Sequence, residues 1–212
     1  MAAKLVALVG ASGVGKTSLA RALRAAYPFA LGLEQHAERP FQALFKMDTR
    51  YALANQVDYL LLRAEQEREL RRATEPGLVD GGLDQDFHGF TRLFRARNAL
   101  TEAEFDLCRR LYLTIRTSQP LPDLVISLNA SEQEIRRRLA GRDRINIAGV
   151  EDISLLNSFL EEWLASLTPE RVLRLDVSAA RPDYSDLLPA LLNQIRARLG
   201  LDAGTYDTEY IP

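Results

Sequence analysis

Short apolar runs alternate along the chain with longer stretches in which apolar side chains recur every three to four residues. The runs Leu5–Val9, Phe29–Leu33, Gly77–Asp80, Asp123–Leu128 and Arg171–Val177 have the length and the Val, Leu and Ile content of strands buried in a sheet. Between them the spacing predicts helices at about Thr17–Ala26, Phe41–Lys46, Thr49–Ala73, Gln85–Arg97, Thr101–Ser118, Ser131–Ala140, Ile153–Ala165 and Tyr184–Leu199. Thr101-Glu-Ala-Glu104 and Ser131-Glu-Gln-Glu134 have the form of capping boxes, which fixes two helix starts. Strands alternating with helices imply an α/β fold, a five-stranded parallel sheet with helices on both faces. No internal repeat or low-complexity segment interrupts the pattern.

Composition narrows this picture. At 212 residues and 47% hydrophobic, the chain suits one domain over residues 1–200, followed by a polar tail at 201–212. A formal charge of −2 argues against a nucleic acid polymer as partner, which calls for a basic surplus. The single cysteine, Cys108, excludes a disulfide framework and points to a cytoplasmic setting. Met1-Ala-Ala-Lys4 runs straight into the first strand and no apolar stretch approaches 18 residues, so neither a signal peptide nor a membrane span is expected. His36 and His88 have no ligand partners at useful spacing, and Trp163 reads as packing.

The chemistry begins directly after the first strand. Gly10, Ala11, Ser12, Gly13, Val14, Gly15, Lys16 and Thr17 fit G-x-x-x-x-G-K-[ST], with a strand before and a helix after. In such a loop the glycines let backbone N–H groups turn inward around phosphates, the lysine reaches the β and γ groups, and the hydroxyl can ligate Mg²⁺. The chain is therefore expected to bind a nucleoside triphosphate with Mg²⁺. In parallel sheets ligands bind beyond the carboxyl ends of the strands. There the second strand is followed by Glu34-Gln-His-Ala-Glu38-Arg-Pro-Phe41, and the third by Gly81-Gly-Leu-Asp84-Gln-Asp86 after Asp80. A carboxylate near the γ-phosphate can accept a proton from an attacking hydroxyl or hold Mg²⁺ through water. Asp84 also suits a helix N-cap. The spacing lacks the closing Glu of a Ca²⁺ loop. Arg136, Arg137, Arg138, Arg142 and Arg144 fall within nine positions at a helix end, as in an arginine-rich lid that closes on a transferring phosphoryl group.

The order of these pieces resembles the deoxynucleoside kinase family over nearly the whole chain. Glu34-Gln-His-Ala-Glu38-Arg-Pro-Phe41 resembles that family's Glu-Pro and Asn-Pro-Phe elements, and the resemblance makes Glu34 the base for a 5′-hydroxyl. Gln56 and Arg63 match a glutamine and an arginine seven residues apart on one helix, where two turns bring both to one face. Asp80 and Asp86 match the ends of the third-strand motif, and Asp86 would pair with Arg63 to read the base edge. Arg138-Leu-Ala-Gly-Arg142-Asp-Arg144 matches the lid motif Arg-x-x-x-Arg-x-Arg without a gap. Two positions depart from the family. Gly81 stands where an arginine is usual, and Phe45 where a tyrosine bonds the 3′-hydroxyl.

The resemblance implies a P-loop kinase fold, transfer of phosphate from ATP to a deoxyribonucleoside of purine or cytosine type, and a homodimer. Lys16, Arg142 and Arg144 would stabilise the transferring group, Arg138 would help hold ATP, and Thr17 and Asp80 would hold Mg²⁺. Phe45, Gln56, Arg63, Asp80 and Asp86 would line the nucleoside site. Rival expectations are a nucleoside monophosphate kinase of the thymidylate type and a nucleotide-binding regulatory subunit with little catalysis.

Overall fold

A computed structural model describes residues 2–33, 39–140 and 150–201. Five strands, β1 (Leu5–Val9), β2 (Ala30–Gly32), β3 (Gly77–Asp80), β4 (Leu124–Asn129) and β5 (Val172–Asp176), form one parallel sheet in the order β2-β3-β1-β4-β5. Each expected strand is present within a residue or two of its expected ends.

The pleat sends alternate side chains to opposite faces, and both faces are covered. Val6 and Leu8 join Leu78, Leu124, Ile126 and Leu128 on one side, under α1 (Lys16–Ala26) and α9 (Leu188–Leu199). Leu5, Ala7 and Val9 join Val79 and Val125 on the other, against α8 (Ile153–Ala165) and Leu70 at the end of α3 (Ala52–Leu70). A strand buried on both faces has no polar positions to alternate, which is why β1 reads as an unbroken apolar run.

Before α3, α2 (Pro40–Met47) is followed by a 3₁₀ turn at Thr49–Tyr51, where the Asp48 side chain accepts from Arg50 N at 2.9 Å. The helix expected over Gln85–Arg97 instead begins at α4 (Leu83–Gln85), passes through a π-helical stretch, Asp86–Thr91, and ends as α5 (Arg92–Ala96). α6 (Glu102–Ser118) carries the complete Thr101–Glu104 capping box. The second expected box, ahead of α7 (Glu132–Ala140), is half made. Ser131 Oγ accepts from Glu134 N at 3.3 Å, but the Glu134 carboxylate bonds Arg137 and Arg138, and Ser131 N turns to Ser178 Oγ. α9 starts at Leu188 rather than Tyr184, because Pro189 fits the first helical turn, where a missing N–H costs nothing.

Candidate active site

The phosphate loop lies at the carboxyl end of β1. Its glycines adopt positive φ: +143° at Gly10, +85° at Gly13 and +111° at Gly15. A Cβ would stand 2.5 Å from Leu128 O at Gly10 and 2.0 Å from the Tyr184 hydroxyl at Gly15, so no other residue fits either place. Lys16 Nζ donates to the Gly10 and Ala11 carbonyls at 2.8 and 3.0 Å, closing the loop into a ring. Two further side chains brace it from outside. The Tyr184 hydroxyl donates to Gly15 O at 3.2 Å, and Arg138 donates to Val14 O at 2.5 Å and Val177 O at 3.0 Å. Arg138, expected on ATP, thus spends its donors on the backbone behind the loop and on Glu134. Tyr184 holds a left-handed backbone, φ +59°, a strain that a buried, bonded ring can sustain.

Beside the loop, β3 ends at Asp80, and the Thr17 hydroxyl donates to the Asp80 carboxylate. The two expected Mg²⁺ ligands therefore touch. Among the described residues no group of three or more His, Cys, Asp and Glu is placed to hold a metal ion. The chain then turns through Gly81 and Gly82, at φ +87° and +92°. A Cβ at Gly81 would meet Arg63 Nη2 and Gln85 Nε2 at ordinary contact, 3.4 Å, so what a side chain there meets first is the backbone angle. Gly81→Ala should cost about 1–2 kcal/mol in urea unfolding; unchanged stability would mean that the turn relaxes to negative φ.

The expected nucleoside-reading residues come together. Arg63 Nε donates to Asp86 Oδ2 at 2.7 Å, and Gln56 Nε2 donates to the Asp86 carbonyl at 3.1 Å, all three within 4% of full burial. Within the π stretch the Asp86 carbonyl also accepts from Thr91 Oγ1 at 3.0 Å, so two side chains converge on it. Phe45 packs on Phe94, ring centroids 5.0 Å apart, in an apolar cluster with Ala52 and Leu100. Glu34, Arg142 and Arg144 lie outside the described residues, as does the arginine-rich lid beyond Ala140.

Asp84 corrects an expectation. The N-cap of α4 is Gly82, and the Asp84 carboxylate is instead buried against α6, accepting from the Tyr112 hydroxyl at 2.8 Å and from Arg116 Nε and Nη2 at 3.1 and 2.8 Å. Arg116 also donates to Glu67, at 2.8 Å, and Glu67 Oε1 accepts Leu83 N at 2.9 Å, which caps α4 from the neighbouring helix. Burial, with Asp84 adding to it, pushes the Glu67 carboxyl above its usual range. Burial alone would lower the Arg116 pKa, but the two carboxylates outweigh it and keep the guanidinium charged. His88 lies against Tyr112 and stacks on Trp163; burial, reinforced by Arg92 and Arg116, lowers it to about 4, so it is neutral at pH 7. Its Nε2 then donates to the Tyr112 oxygen, whose own proton goes to Asp84.

Sequence reasoning missed Glu67, Tyr112, Arg116, Tyr184 and Gln85. One signal was available: Arg116 continues the buried helical stripe Cys108, Tyr112 at the next four-residue step, and a cation there needs a buried partner.

Residues 6–194 match the family model for deoxynucleoside kinases. No curated protein matches the chain. Among solved structures, deoxyadenosine kinase from M. mycoides with bound dATP is similar with a TM-score of 0.75 and 19% identity, over 92% of this chain and 100% of that one. The structure of that kinase with bound dCTP gives 0.73 and 17%, over 91% and 99%, and the one with products dCMP and a flexible dCDP gives 0.72 and 18%, over 91% and 99%. At these identities the likeness speaks to the fold.

Proposed function

The chain belongs to the deoxynucleoside kinase family, an enzyme that phosphorylates deoxynucleosides with ATP, and on that premise we propose that its acceptor is the 5′-hydroxyl of a nucleoside bearing adenine, guanine or cytosine. The observation that carries this reading is the buried Arg63–Asp86 pair with Gln56 on the Asp86 carbonyl. A carboxylate held beside a guanidinium presents an acceptor next to donors. That edge complements an exocyclic amino group beside a ring acceptor nitrogen, which adenine, cytosine and guanine each carry and thymine, with two carbonyls and no amino group, lacks.

Each group has a role in this proposal. Glu34 orients the 5′-hydroxyl and takes its proton; Lys16, Arg142 and Arg144 neutralise charge on the transferring phosphoryl group; the loop N–H groups from Gly10 to Thr17 hold the triphosphate. The Thr17 hydroxyl and Asp80 carboxylate are hard oxygen donors in contact, a set that suits Mg²⁺, and the ion would draw negative charge from the phosphates. Arg138 supports the ATP site through the Val14 carbonyl. Phe45 bounds the sugar end without a hydrogen bond.

We further assign a homodimer, formed through α3 and α6, where Leu61, Leu107 and Leu113 are each close to half exposed. Among the described residues no helix is long and apolar enough to cross a membrane. A cytoplasmic setting goes with the lone, buried thiol of Cys108.

ADP release with Mg-ATP tests the acceptor against the four deoxynucleosides, their ribose counterparts and thymidylate. The expected result is turnover with deoxyadenosine, deoxyguanosine or deoxycytidine, with kcat/KM for thymidine roughly 10–100-fold lower. Thymidine as the best substrate would overturn the base assignment, and thymidylate outperforming every nucleoside would overturn the acceptor.

A further inference from the structure

We propose that Gln85 is a positioning residue for the phosphate loop, joining it to the segment that reads the nucleoside. This rests on the ATP-binding reading of that loop and not on the choice of base. Gln85 is 3% exposed and immediately precedes Asp86. Its Oε1 accepts the Gly10 N–H at 2.9 Å, across 75 residues of sequence. The Gly10 backbone is otherwise hemmed in. Leu128 O lies 2.5 Å from where a Cβ would be, and the Gly10 carbonyl accepts Lys16 Nζ.

These contacts are not equivalent during turnover. When Lys16 reaches for phosphates it must give up carbonyl acceptors within the loop, and Gln85 then still holds Gly10 through the peptide that joins it to Val9. The hold is firm because Gln85 is itself fixed. α4 is capped by Glu67 at Leu83, tied by Asp84 to Tyr112 and Arg116, and followed by Asp86 on Arg63. Removing the acceptor leaves a buried N–H unpaired, and the loop escapes that cost by leaving its phosphate-ready shape. Apparent affinity for ATP falls by the fraction of loops that remain competent.

The test is Gln85→Met, which keeps length and volume in a buried place while removing the acceptor. ATP binding is titrated without nucleoside, and KM is then measured for ATP and for the nucleoside. The expected result is about ten-fold weaker ATP binding and a parallel rise in KM for ATP, with KM for the nucleoside within about two-fold. Gln85→Asn, one methylene too short to reach Gly10, serves the same test if the Met variant fails to fold. A purely structural role would lower Tm and leave the ratio of the two KM values unchanged, and that result, or unaltered ATP binding, overturns the proposal. Because the titration needs no nucleoside, an error in the assigned acceptor leaves it intact.

Discussion

Lys16→Ala is expected to lower kcat by about 10²–10³-fold, the usual cost of losing one group aimed at charge that develops in a transition state. The argument is geometric. Lys16 is the first residue of α1, so its ammonium stands at a helix N-terminus that already favours anions, beside backbone N–H groups turned inward by Gly13 and Gly15. Its Nζ lies within hydrogen-bond distance of two loop carbonyls, within the ring that the phosphates would fill. A phosphoryl group in flight spreads negative charge over its oxygens, and a point charge on a flexible stem can follow it. Single-turnover measurement at saturating ATP and nucleoside separates this loss from weaker binding. A kcat within ten-fold of the unaltered enzyme would remove Lys16 from the chemistry. Lys16→Arg should not restore the rate, because the planar guanidinium is too bulky for a ring closed by 2.8 and 3.0 Å contacts.

Arg116→Met should destabilise the fold by about 3–5 kcal/mol, the cost of stranding buried charges without their partner. At about 2–4 °C per kcal/mol for a chain of this size, Tm should fall by roughly 10 °C. Arg116 is the cation between Glu67 and Asp84, whose side chains are 1% and 3% exposed. Without it two carboxylates face each other in a site that excludes water, and one must take a proton. The pH dependence follows with a definite sign. Glu67 already has a folded-state pKa raised by burial, with Arg116 opposing the rise, so loss of Arg116 raises it further. A carboxyl whose folded pKa exceeds its unfolded value favours folding at low pH and opposes it as pH climbs through the folded pKa. The gap in Tm between the variant and the unaltered protein should therefore be widest near pH 8 and narrow toward pH 5. Thermal melts across that range check it; a Tm within about 2 °C of the unaltered protein at pH 8 would mean that the carboxylates find other partners.

The site was readable where its constraints are local. The phosphate loop needs glycine at set intervals because positive φ and close packing act within a few residues, and sequence spacing records that directly. Gln56 and Arg63 were placed on one face by helical periodicity, and Asp86 by its distance from a strand end together with the family resemblance. Asp84 shows where this kind of reasoning stops. From its neighbours it reads as a cap, and only the packing of α6 across α4 reveals that its partner is Arg116, 32 residues on. The Ser131 box is only half made for a similar reason: Glu134 had the right spacing for a cap, yet Arg137 and Arg138 compete for its carboxylate.

The sequence by itself determined the α/β class, the five strands and the phosphate loop, because apolar periodicity and glycine spacing are properties of consecutive residues, while the family was reached through the resemblance of its separate motifs. Only the tertiary structure decided which buried polar groups meet: Gln85 with Gly10, Arg116 with Glu67 and Asp84, Arg138 and Tyr184 with the back of the loop. The physical reason is that a buried donor must find an acceptor somewhere, and sequence records the need but not the place. The partner is chosen by which strand ends and helices the β2-β3-β1-β4-β5 order brings side by side.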